Sequence, residues 1–566
     1  MSYLDLPRIN FSGRFFTNVS TINNDLRNYP PGAPINEGWN PDGTALFSFD
    51  SATVTGVQSP RDDGALLGAP VTTATNRAPG KLVDIDPDFQ QLSQVIGVSV
   101  SVMTDSGAGF TGSLEPCNFQ DFWSPQPTPR GRAGASQGSV TYISVLSSVQ
   151  WTNAGDVEVL RQLRDSTEDS QLAIRFIIGS YFFDTPDNPE SGFGQLLGTI
   201  APHRSGDPTQ FVRRRLMPPA AAGIMISPSH EEIGRTPPAT LQACNFNLEQ
   251  KSNRLSIDLG NAVPIADFGG PPSHIGQLRA VVLHEDGTSE PIEPTFSLTP
   301  DNYKTLGGII DLELTAAQSQ SLYGKQAGVE LQPPADSSWT LVLAEHRSGK
   351  YVNISPFTAR AVGGPPKPDT APHPVTFELY AFQWGEPLPG ESLSLSANAS
   401  QGTPASLIVN GGSGTTTTGS DGRAAFTVEM PTELTIPPLR QQLDSLAYNI
   451  SGPWIEYNGG QLSRVLPVAA LLVWAPYAHA GITNPTWEEH VQPVFDEYMR
   501  IYPGMKKILD LSNLNTVQKN LESIRSALSL PFDAPHTMPV TRDLSPEKIE
   551  VINTWLTNQI TAKSSG

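Results

Sequence analysis

Histidine beside a carboxylate is common raw material for proton transfer or metal binding, and three such local groups lead the candidates in this chain. They are His230-Glu231-Glu232, His284-Glu285-Asp286 and Glu345-His346. A helical metal site needs imidazoles one turn apart. None of the nine histidines forms a His-x-x-x-His or His-Glu-x-x-His pair. Adjacent residues of a strand point to opposite faces, so these neighbours read as polar residues of turns. His284 precedes Asp286-Gly287, a hairpin signal, and is expected at an exposed tip. The catalytic candidates are therefore His230, Glu231, His284 and Asp50, with Arg8 and Arg14 as candidates for holding a ligand. No metal site and no cofactor are expected. The chain shows no P-loop and no Gly-x-Gly-x-x-Gly opening a helix, and its Gly-x-Ser-x-Gly at residues 134–138 runs into the strand expected at 141–145, where a nucleophile elbow needs a helix. That argues against a serine hydrolase, a nucleotide hydrolase and a Rossmann dehydrogenase.

Composition narrows the class further. The chain has 566 residues, of which only 16% are charged, with 49 Gly and 52 Pro. Proline fixes φ and lacks a backbone donor, so this body should consist of short strands, turns and long loops. Cores stop growing near ~250–300 residues, so several domains are expected. The net charge is −20, and the one tight basic run is Arg213-Arg214-Arg215. A nucleic-acid surface needs clustered cations, so no nucleic-acid partner is expected. Two cysteines, Cys117 and Cys244, are too few for a disulfide framework or a Cys-rich metal site, and read as buried small apolar residues. The start MSYLDLPRINF has no cationic, apolar leader. The longest apolar run, residues 465–474, is far short of the ~20 residues that span a bilayer. The expectation is a soluble, cytoplasmic protein with no membrane partner.

The elements that must position these residues are mainly β. Residues 1–240 read as a β-rich domain, with alternating runs at 51–57, 95–102, 141–145 and 173–178 and one short helix near 157–166. Residues 241–373 form a second β-rich region, with strands near 255–259, 281–284 and 340–344 and a helix-like LTAAQSQSLYG closed by Gly324. Residues 374–482 read as an immunoglobulin-like β-sandwich, with turns at Trp384-Gly385 and Asp421-Gly422 and a linker-like Gly/Thr tract at 402–419. Residues 483–566 read as a helical tail. Thr486 with Glu489 suggests a capping box, Val517, Leu521, Ile524 and Leu528 form one stripe, and Ser545-Pro546 opens a last helix carrying Ile549, Ile552, Trp555, Leu556 and Ile560. The fold class is thus mainly β and multidomain, with a small C-terminal helical unit. The tail resembles the frame of a c-type cytochrome, with His490 early and Met538-Pro539 late, and His536 close by. It holds no cysteine for thioether attachment, so a cofactor-free frame is expected.

Several segments, in order, resemble the amino-terminal half of the iminophenyl-pyruvate dimer synthase of violacein biosynthesis and its chromopyrrolate-synthase relatives. They are residues 4–11 (LDLPRINF), 47–54 (FSFDSATV), 82–87 (LVDIDP), 194–199 (GQLLGT) with 215–218 (RLMP), 256–264 (SIDLGNAVP), 308–312 (GIIDL) and 538–545 (MPVTRDLS). The resemblance implies a place in natural-product biosynthesis. In that family the second half carries a ferritin-like helical bundle with Glu and Glu-x-x-His ligands for iron. The present sequence stops at Gly566, about where that bundle would begin, and its tail offers no such set. No catalytic residue transfers from the shared half.

Three functions follow as expectations. One is an enzyme of specialised metabolism converting an aromatic or apolar small molecule, with a site between the first two β regions, since ligand clefts favour such junctions. The second is a non-catalytic ligand-binding or scaffold subunit for a separate catalytic partner, ferritin-like or oxidase. The third is a carbohydrate-binding or defence protein. A deep pocket with convergent polar groups would favour the first. A solid β body with only shallow grooves would favour the second.

Overall fold

The computed structural model describes residues 2–18, 44–61, 64–73, 80–84, 93–123, 135–182, 188–218, 241–265, 268–334, 337–363, 374–399, 407–430, 445–453, 455–457, 463–465, 468–501 and 505–565. Within these the chain is mainly β, built from several sheets and finished by a small helical region. Among the described residues no helix is long and apolar enough to cross a membrane.

The first body is a closed barrel. Strand Arg8–Thr17 pairs with Phe193–Pro202 on one side and Leu46–Gln58 on the other. The path continues through Gly80–Asp84, Ser93–Ile96, Cys117–Trp123, Ala135–Thr152 and Leu172–Phe182, which returns to Phe193–Pro202. All pairings are antiparallel, and closure removes the free edges that such a sheet would otherwise expose. Side chains alternate across a strand, so Ile9, Phe11 and Phe15 point inward. There they meet Phe47, Phe49, Tyr142 and Phe176, with Tyr142 stacked on Phe176 at 5.0 Å. The same alternation turns Arg8, Asn10, Ser12 and Arg14 to the outer wall. The run expected as one strand at 95–102 is two, Ser93–Ile96 and Ser99–Met103, because Gly97 takes φ 70° between them. The expected short helix is present as Glu158–Asp165.

The second body has two four-stranded sheets around a shared core that includes Phe246, Ile257, Leu278, Val282 and Val329. It draws in Arg215–Leu216, which pairs with Cys244–Glu249, so its sheet begins earlier than residue 241. The third body also has two sheets sharing one core, from Ile354 and Phe377 to Leu471 and Val473. Lys350–Ser355 pairs with Val375–Gln383, and Thr358–Val362 pairs in parallel with Val468–Trp474. The boundary expected at 374 therefore falls inside this body. The residues just before it, 364–373, lie outside the described residues. The tract read as linker carries strand pairs at Ile408–Val409 and Thr415–Thr417, while 401–406 lie outside the described residues. The turn at Asp421-Gly422 stands as expected, with Gly422 at φ 72°.

The tail packs its stripes into one cluster of Trp487, Val491, Phe495, Val517, Leu521, Ile524, Leu528, Ile552, Trp555 and Leu556. Thr486 Oγ1 accepts from the Glu489 backbone, but the Thr486 N–H donates to His490 Nδ1, where a capping box would use the Glu489 carboxylate. A π-helical turn, Trp487–Val491, leads into Gln492–Ile501 with Pro493 in its first turn. The tail also touches the other bodies. Trp474 Nε1 donates to the Asp543 carbonyl at 2.6 Å, and Val540 packs against Ala45, Val83 and Ile96 of the barrel.

Lys81 of the barrel lies at this contact, 7% exposed, with its Nζ donating to the Thr44 carbonyl. Burial, and then the nearby Arg542 charge, lower its pKa to about 8 from an ordinary 10.5. Between those values the unfolded chain holds the more protons at this site, so this group makes stability rise with pH across that window. Lys81→Met should raise the melting temperature at pH 7 and flatten its rise between pH 8 and 10, as read by calorimetry on both proteins.

Candidate functional site

Where the outer wall of the barrel meets the second body, charge is buried. Arg8, 0% exposed, pairs with Asp311, whose other oxygen accepts from Ser256 Oγ at 2.5 Å. Arg175, also 0% exposed, donates from Nη2 to Asp258 Oδ1 at 2.7 Å and to the Gly307 carbonyl at 2.8 Å. Tyr3 donates to the second oxygen of Asp258 at 2.7 Å and accepts from Asn245 at 3.0 Å. Arg254 reaches Asp311 at 3.7 Å and the Leu4 carbonyl. Asn10 accepts from Thr199 and donates to the Thr305 carbonyl. Burial pulls the Arg8 pKa down and the Asp311 charge pushes it back. Burial, reinforced by Asp258, holds the Tyr3 phenol well above its ordinary value and so keeps it a donor.

Residues 4–11, 194–199, 215–218, 256–264 and 308–312 all converge here. Arg215 pairs with Asp121, and Asn261 binds Thr141 and Trp123. The neighbours Arg213 and Arg214 pair with Asp207 and Glu345, so the whole basic run is spent on carboxylates.

Beside the cluster a groove runs along the same wall, bordered by residues 260–265 and 268–270. Its inner end is a cavity of about 80 Å³ lined by Ser12, Ile177, Gly179, Gly260, Asn261 and Tyr303 among others. Through Ser180 and Gln195 it continues into an open stretch of about 290 Å³ walled by Arg14, Phe182, Glu190, Phe193 and Phe268. The Arg14 guanidinium lies 4.1 Å above the Phe193 ring and pairs with Glu190 at 3.1 Å. Phe182 and Phe268 meet edge to face. Ser180 Oγ accepts from the Gly269 N–H and Gln195 donates to the Gly269 carbonyl, which ties the covering segment to the barrel.

The sequence candidates fare differently. Arg14 is in the groove, 40% exposed. Arg8 faces the second body instead of a ligand, because its side chain is fully buried in the pair with Asp311. Asp50 is Arg14's partner on the next strand and accepts from its own neighbour Ser51. His284 stands at the expected hairpin tip, partly exposed and 3.6 Å from Glu290, and does not line the groove. His230 and Glu231 lie outside the described residues. Sequence reasoning missed Arg175, Asp258 and Asp311. Of the cytochrome-like trio, His490 is buried with its Nδ1 at Thr486, Met538 packs on the helical cluster and His536 is exposed. Among the described residues no group of three His, Cys, Asp or Glu is placed to hold a metal ion. Cys117 and Cys244 are buried, and burial pushes both thiols up.

Comparison with known proteins adds little. No family model and no curated protein matches the chain. Among solved structures it is similar to trypsin-activated alpha-2-macroglobulin from Escherichia coli, at 12% identity and a TM-score of 0.14, covering 58% of this chain and 25% of that one. Salmonella alpha-2-macroglobulin reacted with methylamine gives 10% identity and a TM-score of 0.15, covering 98% and 35%. The chain thus spans about a third or less of those two structures, and superposition at this level defines no common fold.

Removing one partner from a buried ion pair strands the other charge and typically costs about 3–5 kcal/mol. Asp258→Asn should therefore lower the melting temperature far more than Glu190→Gln, whose pair with Arg14 is exposed and worth little. Thermal scans of the two variants beside the parent check the ranking.

Proposed function

We propose that this protein is a ligand-binding subunit of specialised metabolism that holds an aromatic or apolar small molecule in the groove between barrel and second body. A separately encoded partner would supply the chemistry. The observation that carries this reading is the aromatic wall of Phe182, Phe193 and Phe268, topped by Arg14 and set on a rigid barrel. A flat ring has three phenyl groups to pack against there, one of them capped by Arg14, and each aromatic pair is worth roughly 0.5–1.5 kcal/mol beyond simple burial. The polar side chains of the groove are already engaged, Ser180 and Gln195 with the covering segment and Arg14 with Glu190. Such a surface orients a guest, while acid–base conversion would need poised groups free to reach it. The shared segments that converge on this junction support descent from the amino-terminal half of the imine-coupling family, with the iron chemistry left to another chain.

The test uses the neutral probe naphthalene-2-carboxamide, titrated by fluorescence into the full chain. Saturable binding is expected, weakened about tenfold by Phe193→Ala combined with Phe268→Ala, since two of the three phenyl groups are then removed. Binding that the double variant leaves unchanged would remove the groove from the account.

A further inference from the structure

The open stretch of the groove is biased toward positive guests. Its lining holds one cation and one carboxylate, Arg14 and Glu190. A second carboxylate stands beside them, because Asp50 faces Arg14 in register on the neighbouring strand. Side chains directly opposed in an antiparallel pair lie roughly 5 Å apart at Cβ, so Arg14 has two carboxylates in reach. It bonds only one of them, from Nη2 to Glu190 Oε2 at 3.1 Å. That pair is open to water on both sides, with Arg14 40% and Glu190 59% exposed, so little holds it closed. Asp50 accepts only from the Ser51 hydroxyl among the described residues and has no cation of its own. The rings add to the bias. A phenyl face carries the negative part of the ring quadrupole, and three phenylalanines meet here. The Arg14 guanidinium, 4.1 Å above Phe193, shows that this face receives a cation. An anion would meet the same ring faces and two carboxylates, with only Arg14 in its favour. The net charge of −20 also draws cations toward the protein from a distance.

Resting on the groove reading above, we infer that the open stretch takes an organic cation, an aromatic or apolar amine in its ammonium form. The ring packs on the phenylalanines and the ammonium pairs with Glu190. Arg14 turns to Asp50, which leaves the Phe193 face to the guest. The exchange partners every charge, since two cations then face two carboxylates. A charge-assisted bond is stronger than a neutral one, so the amine is preferred over an amide of the same shape.

The experiment compares 2-naphthylmethylammonium, naphthalene-2-carboxamide and naphthalene-2-carboxylate on the full chain by calorimetry, at neutral pH and fixed ionic strength. The ammonium probe should bind about five- to tenfold tighter than the amide, because an exposed ion pair and an exposed cation–π contact each add a few-fold. The carboxylate should bind no tighter than the amide. Glu190→Gln should reduce the ammonium preference to about twofold or less and leave amide binding nearly as it was. Arg14→Gln removes the competing cation and should keep the preference or enlarge it. Equal binding of ammonium and amide, a carboxylate that binds tighter than either, or a preference lost in Arg14→Gln and kept in Glu190→Gln would overturn the cation assignment, while saturable amide binding leaves the groove standing. Failure of all three probes to bind would overturn the groove reading and this one with it.

Discussion

The junction between barrel and second body depends on the buried ion pairs Arg8–Asp311 and Arg175–Asp258. Charges so deep are costly to dehydrate, and they are tolerated only when the geometry is good and the remaining oxygens are bonded. Here the two aspartates receive that treatment from Ser256, Tyr3 and the Gly260 N–H. Packing alone would let two sheet surfaces slide. Charge pairs with fixed partners impose one register, which is what a groove shared by both bodies requires.

The register propagates along one strand. In Arg8–Thr17 the inward residues fill the barrel with aromatic rings while the outward ones form, in order, the ion pair, the Asn10 bridge, the cavity wall at Ser12 and the cation over Phe193. A slip of one residue would send the arginines into the barrel and the phenylalanines into the groove. Core and site are therefore two faces of the same ten residues. Glycine serves the same end across the sheet. A side chain at Gly198 would meet the Phe11 ring at 2.1 Å, so the neighbouring strand can approach only without one.

Much of the architecture was legible from local pattern. Period-two alternation announced the barrel strands, Asp286-Gly287 announced the His284 hairpin, and the 3.6-residue stripes announced the tail. What escaped was non-local. Asp311 is 303 residues from Arg8, and nothing in the segments 4–11 or 308–312 alone says that they pair. The readable signal was the outward set Arg8, Asn10, Ser12 and Arg14, too polar and too regular for a barrel wall facing only water. Histidines stand out in the sequence because imidazole titrates near neutrality, whereas the charged groups of this site are arginine and aspartate held by burial. The break at Gly97 hid inside an apolar alternation, although a glycine there is itself a signal for a bend. The boundary expected at 374 fell within one body, because the strands on either side of 364–373 belong to one pair of sheets.

The central claim is that the barrel wall and the second body form one cooperative unit fastened by these charges. Native-state hydrogen exchange read by mass spectrometry measures this directly. The amides of Arg8–Thr17, Leu172–Phe182, Arg254–Asp258 and Ile309–Glu313 should share one high protection level and lose it together as denaturant is added. Exchange of the second-body strands at low denaturant, while the barrel strands stay protected, would contradict it.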